Sequence, residues 1–168
     1  MKAAILVESK KPLVVADVAL PSKLDVGQVQ VKLHYSGICG AQINEIDAVK
    51  GSDKFLPHLL GHEGAGTVVE TGPGVSKVKV GDHGVLHWIK GFGIDSSPPR
   101  FQWDGLVFSS GWVTTFSEYA VVSENRITPI PSHIKSDVAC LLGCAVTTGL
   151  GIAFNDAELR PGQSIAVF

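Results

Sequence analysis

The chain has 168 residues, of which 45% are hydrophobic and 18% charged, and its net charge is −2 at neutral pH. That length carries one good core with room for an appended piece. The 14 Lys and Arg are scattered, so no basic stripe argues for a nucleic acid or an anionic membrane, and no apolar run is long enough to span a bilayer. Met1–Glu8 is too quickly interrupted by charge to be a signal peptide. The three cysteines form no CxxC pair, which argues against a disulfide framework and makes the cytoplasm the default compartment.

In chain order, Lys2–Val7 and Leu13–Val18 read as strands joined by a turn at Lys10-Lys11-Pro12. Gln28–Tyr35 alternates polar and apolar residues and is the cleanest half-buried strand in the sequence. It runs into Gly37-Ile38-Cys39-Gly40. The spacing of Ile43, Ile46 and Val49 predicts a helix over Gln42–Val49 with those three on one face. Lys50–Leu60 is a loop. Gly61-His62-Glu63-Gly64-Ala65-Gly66 then opens a strand over Gly66–Glu70. Val75–Val80 is a short alternating run, and Val85–Trp88 resumes a strand after the turn Gly81–Gly84.

Ile89–Trp112 has no clear period and reads as a long loop with exposed aromatics (Phe92, Phe101, Trp103, Phe108, Trp112), either a surface flap or a substrate lid. Phe116–Val122 and Ile127–Ile130 return to strand. Ser136 is a candidate N-cap for a helical turn over Asp137–Leu142. Val146–Phe154 reads as a further helix. Ser164–Phe168 carries the pattern of a buried strand.

Three residues have metal-ligating chemistry at the ends of elements: Cys39 after a strand, His62 before one, and Cys144 between two helical segments. Two thiolates and an imidazole suit a catalytic zinc, which takes three protein ligands and keeps one position open. Each residue has a glycine beside or close to it, where a ligand can approach at little steric cost. On spacing alone the alternative stands, with both cysteines as small buried hydrophobes and His62 as a hydrogen-bonded core residue. Glu63 is either a carboxylate supporting the metal or a surface charge beside a turn. The segment is not an HExxH helix, because Gly66 stands where the second histidine is needed.

Cys140 fits core packing better than metal binding. His87 could face a substrate space or be merely hydrogen-bonded; His83 lies near it. His34, His58 and His133 look like ordinary strand or loop residues. Trp88, Trp103 and Trp112 suit packing, with one of them a candidate to line a channel.

Gly37–Gly40, Gly61–Val68, Gly81-Asp82, Ser117–Val121 and Leu142–Gly149 together resemble the zinc-dependent medium-chain alcohol dehydrogenase family, in order and over nearly the whole chain. The resemblance implies a mainly β fold, a GroES-like β-barrel with a few short helices, ending before the Rossmann domain. Residues 1–135 would be the catalytic domain. Residues 136–168 would be a helical connection and the first strand of a nucleotide-binding domain. The resemblance assigns Cys39, His62 and Cys144 to the catalytic zinc, Glu63 to the carboxylate beside it, and Thr148 to the nicotinamide pocket. Zinc would polarise the substrate oxygen as a Lewis acid while hydride passes between an alcohol or carbonyl compound and NAD or NADP.

The chain departs from the family pattern in several places. Ile89–Trp112 occupies the region of a structural-zinc lobe but has no cysteine, so a single, catalytic zinc is expected. Ala41 lacks the hydroxyl that often relays the alcohol proton, and Asn44 replaces a relay histidine. No GxGxxG turn occurs, so the chain alone is expected to lack activity, and Leu141, Leu142, Ile152 and Phe154 to expose apolar surface that invites self-association. Two other readings are a zinc-free reductase of the same superfamily and a non-catalytic GroES-like binding or structural module. Both leave the two cysteines and the histidine unexplained.

Overall fold

The computed structural model describes residues 1–168. Strands β1 (Lys2–Leu6) and β2 (Val14–Asp17) form an antiparallel hairpin. β3 (Gln28–Ser36) is the long alternating strand, and α1 (Gly40–Ile46) follows it. β4 (His58–Leu59) pairs with the free edge of β1, and β5 (Gly64–Thr71) runs antiparallel to β3. Then come β6 (His83–Leu86), the hairpin of β7 (Arg100–Trp103) and β8 (Leu106–Ser109), β9 (Tyr119–Ser123) and β10 (Ile127–Pro129). Two short helices close the chain, α2 (Ser136–Ala139) and α3 (Ala145–Gly151), the latter extended by a π-helical turn over Ile152–Asp156.

The central sheet has the order β10–β6–β5–β3–β9, and β2–β1–β4 forms a second sheet. Register shifts between Gln30 and Val31 and between Leu33 and Tyr35 mark bulges in the β3–β5 ladder. Bulges bend and twist a strand, so this sheet curls into a half-barrel. Inside the curl, Val29 and Val31 of β3 meet Val68, Leu86, Val122 and Ile127. Their spacing along β3 is the period of two that places one side of a pleated strand on a core. Between the sheets Ala3, Ile5, Leu59 and Val121 pack with Phe101 and Phe108. Val121 and Val122 therefore serve opposite cores, which explains the unbroken apolar run on β9.

Several expectations need correction. Val75–Val80 forms no strand, and only Val78 in it is buried. α1 ends at Ile46, short of Val49, which is 66% exposed, and it leaves Ile43 53% exposed; its buried residue is Gln42. A polar partner outside the helix, described below, overrides the apolar spacing. The aromatic stretch 89–112 is not a bare loop. Its hairpin buries Phe101 and Phe108 against the sheets, while Phe92 stays 91% exposed. Ser136 is the first residue of α2, not its cap; its hydroxyl lies between His34 Nδ1 (3.1 Å) and His83 Nε2 (2.9 Å). Leu142 packs partly against Ala65 and Val85, whereas Leu141, Ile152 and Phe154 are exposed as expected. Ser164–Phe168 has no strand neighbour and is exposed. A lone extended segment has no ladder to satisfy its backbone. No single helix is long and apolar enough to cross a membrane.

One buried carboxylate ties the stretch before the hairpin to the barrel. Glu124 accepts backbone N–H groups of Ser76 (2.6 Å), Lys77 (2.6 Å) and Ile94 (2.8 Å). Burial opposes its charge, but those bonds outweigh burial and hold its pKa below the ordinary 4.5. A lowered folded value means stability that is present above the unfolded value and lost as pH falls through the folded one. Glu124→Ala should cost about 3 kcal/mol at neutral pH. Urea unfolding across the acid range should show a flatter acid limb in Glu124→Gln than in the wild type.

Candidate metal centre

Antiparallel pairing brings the first two candidate ligands together. Ser36 at the end of β3 pairs with Gly64 at the start of β5. Cys39, three residues beyond that pair, caps α1 in an extended conformation (φ −100°, ψ 148°). His62 lies two residues before it on the other strand. Cys144 joins them from the junction between the 3-10 turn Cys140–Gly143 and α3, with φ −150° and ψ −64°. One ligand atom from each of Cys39, His62 and Cys144 lies within 4.8 Å of the other two.

The histidine is held by a residue that periodicity misread. Gln42 Nε2 and His62 Nδ1 are 2.6 Å apart. His62 Nε2 and Gln42 Oε1 are both buried without a partner. Turning the amide by half a revolution sets Oε1 against an Nδ1–H and frees the Nε2 lone pair; the amide oxygen and nitrogen have nearly the same shape. Burial, first, lowers the His62 pKa, against the charges of Glu63 and Glu45, which raise it. The ring is thereby kept toward the neutral form that ligates metals. Burial and then neighbouring Cys39 push the Cys144 thiol up, with a Thr148 hydrogen bond opposing them. A cation between the two sulfurs reverses that balance and makes thiolates. Two sulfurs and one neutral nitrogen, the orphaned His62 Nε2, fit zinc.

Glu63 is no surface charge. It is 1% exposed, and its Oε2 accepts the Ala145 N–H at 3.0 Å. Its carbonyl accepts hydroxyls from Ser36 and Thr115, each at 3.1 Å. The nearby glycines serve this close packing more than access by an ion. A Cβ on Gly37 would lie 2.6 Å from Glu63 Oε1, and one on Gly143 would lie 2.2 Å from the Leu86 carbonyl oxygen and 3.0 Å from Glu63 Cβ. Thr148 is exposed one turn into α3, its N–H donating to the Cys144 carbonyl (2.9 Å).

The remaining candidates fall elsewhere. Cys140 is buried beside Ala65, Val85 and Ala139, and burial raises its thiol pKa. His87 is committed to the Ile89 carbonyl and the Thr128 hydroxyl, outside the cavity beside His62. Trp88 and Trp112 line that cavity, whereas Trp103 packs on the inter-sheet core. His58 is not an ordinary loop residue. It is buried, with Nδ1 on the Leu59 carbonyl and Nε2 2.7 Å from Asp53, and Glu45 beside it. Gln42 and this Glu45–Asp53–His58 group escaped sequence reasoning. The one available signal was a polar side chain one helical turn after Cys39.

The curled half-barrel, with a sulfur–sulfur–nitrogen cluster at its rim, has the architecture of a GroES-like catalytic domain. The sequence profile of the alcohol dehydrogenase GroES-like domain matches residues 25–132. The chain belongs to that family. It is 35% identical to an S-(hydroxymethyl)glutathione dehydrogenase of Synechocystis sp., over 99% of this chain and 52% of the relative. A protein of the same description from Escherichia coli is 34% identical over the same shares. In structure it resembles an alcohol dehydrogenase zinc-binding domain protein from Burkholderia ambifaria (TM-score 0.82, 24% identity, 97% of this chain and 50% of the other). It also resembles benzyl alcohol dehydrogenase from Acinetobacter calcoaceticus (TM-score 0.80, 23% identity, 97% and 50%). These two likenesses concern the fold. The chain spans about half the length of the curated relatives it matches.

Gly143→Ala should destabilise the chain by roughly 2 kcal/mol, because its methyl group meets backbone rather than a yielding side chain. Thermal unfolding of the variant against wild type measures this.

Proposed function

We propose that this chain is the zinc-binding catalytic domain of a zinc-dependent alcohol or polyol dehydrogenase that interconverts an alcohol and a carbonyl compound with NAD or NADP. The observation that carries the reading is the convergence of Cys39, His62 and Cys144 within 4.8 Å. In this reading residues 1–135 are the catalytic domain. Residues 136–168 connect it to a cofactor domain, with Ser164–Phe168 entering that domain's sheet. The chain alone is then inactive, since it lacks a glycine-rich turn to receive the cofactor pyrophosphate.

Zinc, when bound, supplies a Lewis acid for the substrate oxygen. The chain's own residues do the rest. Cys39 and Cys144 bind as thiolates and His62 through neutral Nε2. Gln42 fixes the imidazole ring, as outer partners of metal-bound histidines do. Glu63 holds the turn that carries Cys144 and adds a negative charge behind the metal. Thr148, one turn after Cys144, would border the nicotinamide. Ala41 has no hydroxyl, so another group or water passes the alcohol proton. Trp88 and Trp112 keep water from the substrate body.

Metal analysis of protein purified without chelator should give about one zinc per chain, given three ligands in reach. Cys39→Ala and His62→Ala should lose tight binding, and Cys140→Ala should keep it. Unchanged stoichiometry in the first two would remove the basis of the assignment. Gln42→Ala should retain zinc but bind it about 10–100-fold more weakly, as read by competition with a chromogenic chelator.

A further inference from the structure

Of the cavities that His62 lines, one has a volume of about 670 Å³ and is walled by Trp88 and Trp112. Two cations stand in it, Lys90 and Arg126. Lys90 is paired with Asp95. Arg126, on the 3-10 turn Glu124–Arg126, is only 7% exposed and makes no salt bridge. Its Nε is buried without a hydrogen-bond partner. Its guanidinium lies 5.6 Å from the Trp112 ring centre, and Lys90 Nζ lies 5.9 Å from the same ring.

A buried guanidinium stays charged, and burying it unpaired costs several kcal/mol. One indole face offsets only part of that. Two like charges on one ring also repel each other. The field around them is positive: besides burial, the charges of Lys77 and Arg126 hold His87 below the ordinary imidazole value, against its bond to the Ile89 carbonyl. Asp95, the carboxylate that feels Arg126, already accepts Lys90. A cation held this way, in a cavity with two tryptophans and no carboxylate among its lining residues, is matched by an anion that arrives from outside.

We infer that Arg126 is the anion-recognising residue of the substrate cavity, and that the substrate is an alcohol or carbonyl compound carrying a carboxylate or similar anionic group on an apolar body. The substrate part rests on the dehydrogenase reading; the anion subsite does not need the metal. Arg126 presents a planar fork that takes a carboxylate through two parallel bonds. The tryptophans take the apolar body, and the reacting oxygen is left toward His62.

The test titrates the chain with para-hydroxymethylbenzoate and with benzyl alcohol, read by quenching of tryptophan fluorescence. The carboxylate probe should bind about tenfold tighter or more. Arg126→Gln should erase that preference, leave benzyl alcohol binding unchanged and raise rather than lower the melting temperature, because it removes an unpaired buried charge. Equal binding of both probes to wild type, or a preference that persists in the variant, overturns the inference. If the Gln variant does not fold, Arg126→Met takes its place. Failure of both to fold makes Arg126 a structural strut and also overturns it. ADP is the third probe: ADP binding that is lost in Arg126→Gln, without a carboxylate preference, would assign the residue to cofactor phosphate instead. Zinc content separates the two readings. Zinc present without anion preference sinks the subsite alone. An anion preference that survives in Cys39→Ser supports the subsite whatever the fate of the metal.

Discussion

The hydrogen bond from the Ala145 N–H to Glu63 Oε2, 3.0 Å long, is the constraint on which the candidate site depends. The half-barrel by itself brings together only Cys39 and His62. Cys144 comes from a helical segment far along the chain, and its backbone turn (φ −150°, ψ −64°) is not one that a helix maintains unaided. A carboxylate with almost no solvent contact, gripping the first amide of α3, fixes that turn against β5. The same side chain lies beside the candidate ligands, so one residue both places Cys144 and shapes the field around it. Its burial costs free energy unless its oxygens are satisfied, and part of that satisfaction is the bond that completes the site.

The barrel contributes rigidity at the points where the ligands leave it. Cys39 and His62 follow and precede paired strand ends, so their backbones inherit the order of the β3–β5 ladder. Gln42 is the only buried residue of α1, and it is spent on His62 rather than on the core. Rigid elements with a supporting shell of hydrogen bonds are what a metal or substrate site needs to stay within a few tenths of an ångström of a working geometry. The cavity beside His62 differs in character. Its walls are half-exposed tryptophans, and its one deeply buried cation makes no salt bridge and has an unpartnered Nε.

Much of this could be read from the residues. The alternation over Gln28–Tyr35 pointed to a half-buried strand, the Gly-His-Glu-Gly run and Cys144 between two helical segments pointed to candidate metal-ligating residues, and the mainly β GroES-like fold came with the family resemblance. Those signals are local, because strand period and element ends depend on neighbours in sequence. Where the sequence misled, the cause was tertiary. Ile43, Ile46 and Val49 had helical spacing, yet α1 turned its polar side inward because His62 offered Gln42 a partner. The aromatics between Ile89 and Trp112 had no period because a short hairpin pins itself by two residues, Phe101 and Phe108, and not by a stripe.

From residues alone came the element types, the identity of the metal-competent side chains and the family likeness, because each rests on local pattern and on chemistry carried by residue type. Only the folded chain decided that Glu63 is buried and holds Ala145, that Gln42 supports His62, and that Arg126 is buried without a salt bridge. Those facts are contacts between segments distant in sequence, set by how the bulged sheet curls. No periodicity along the chain encodes which polar group a fold will leave satisfied and which it will leave alone.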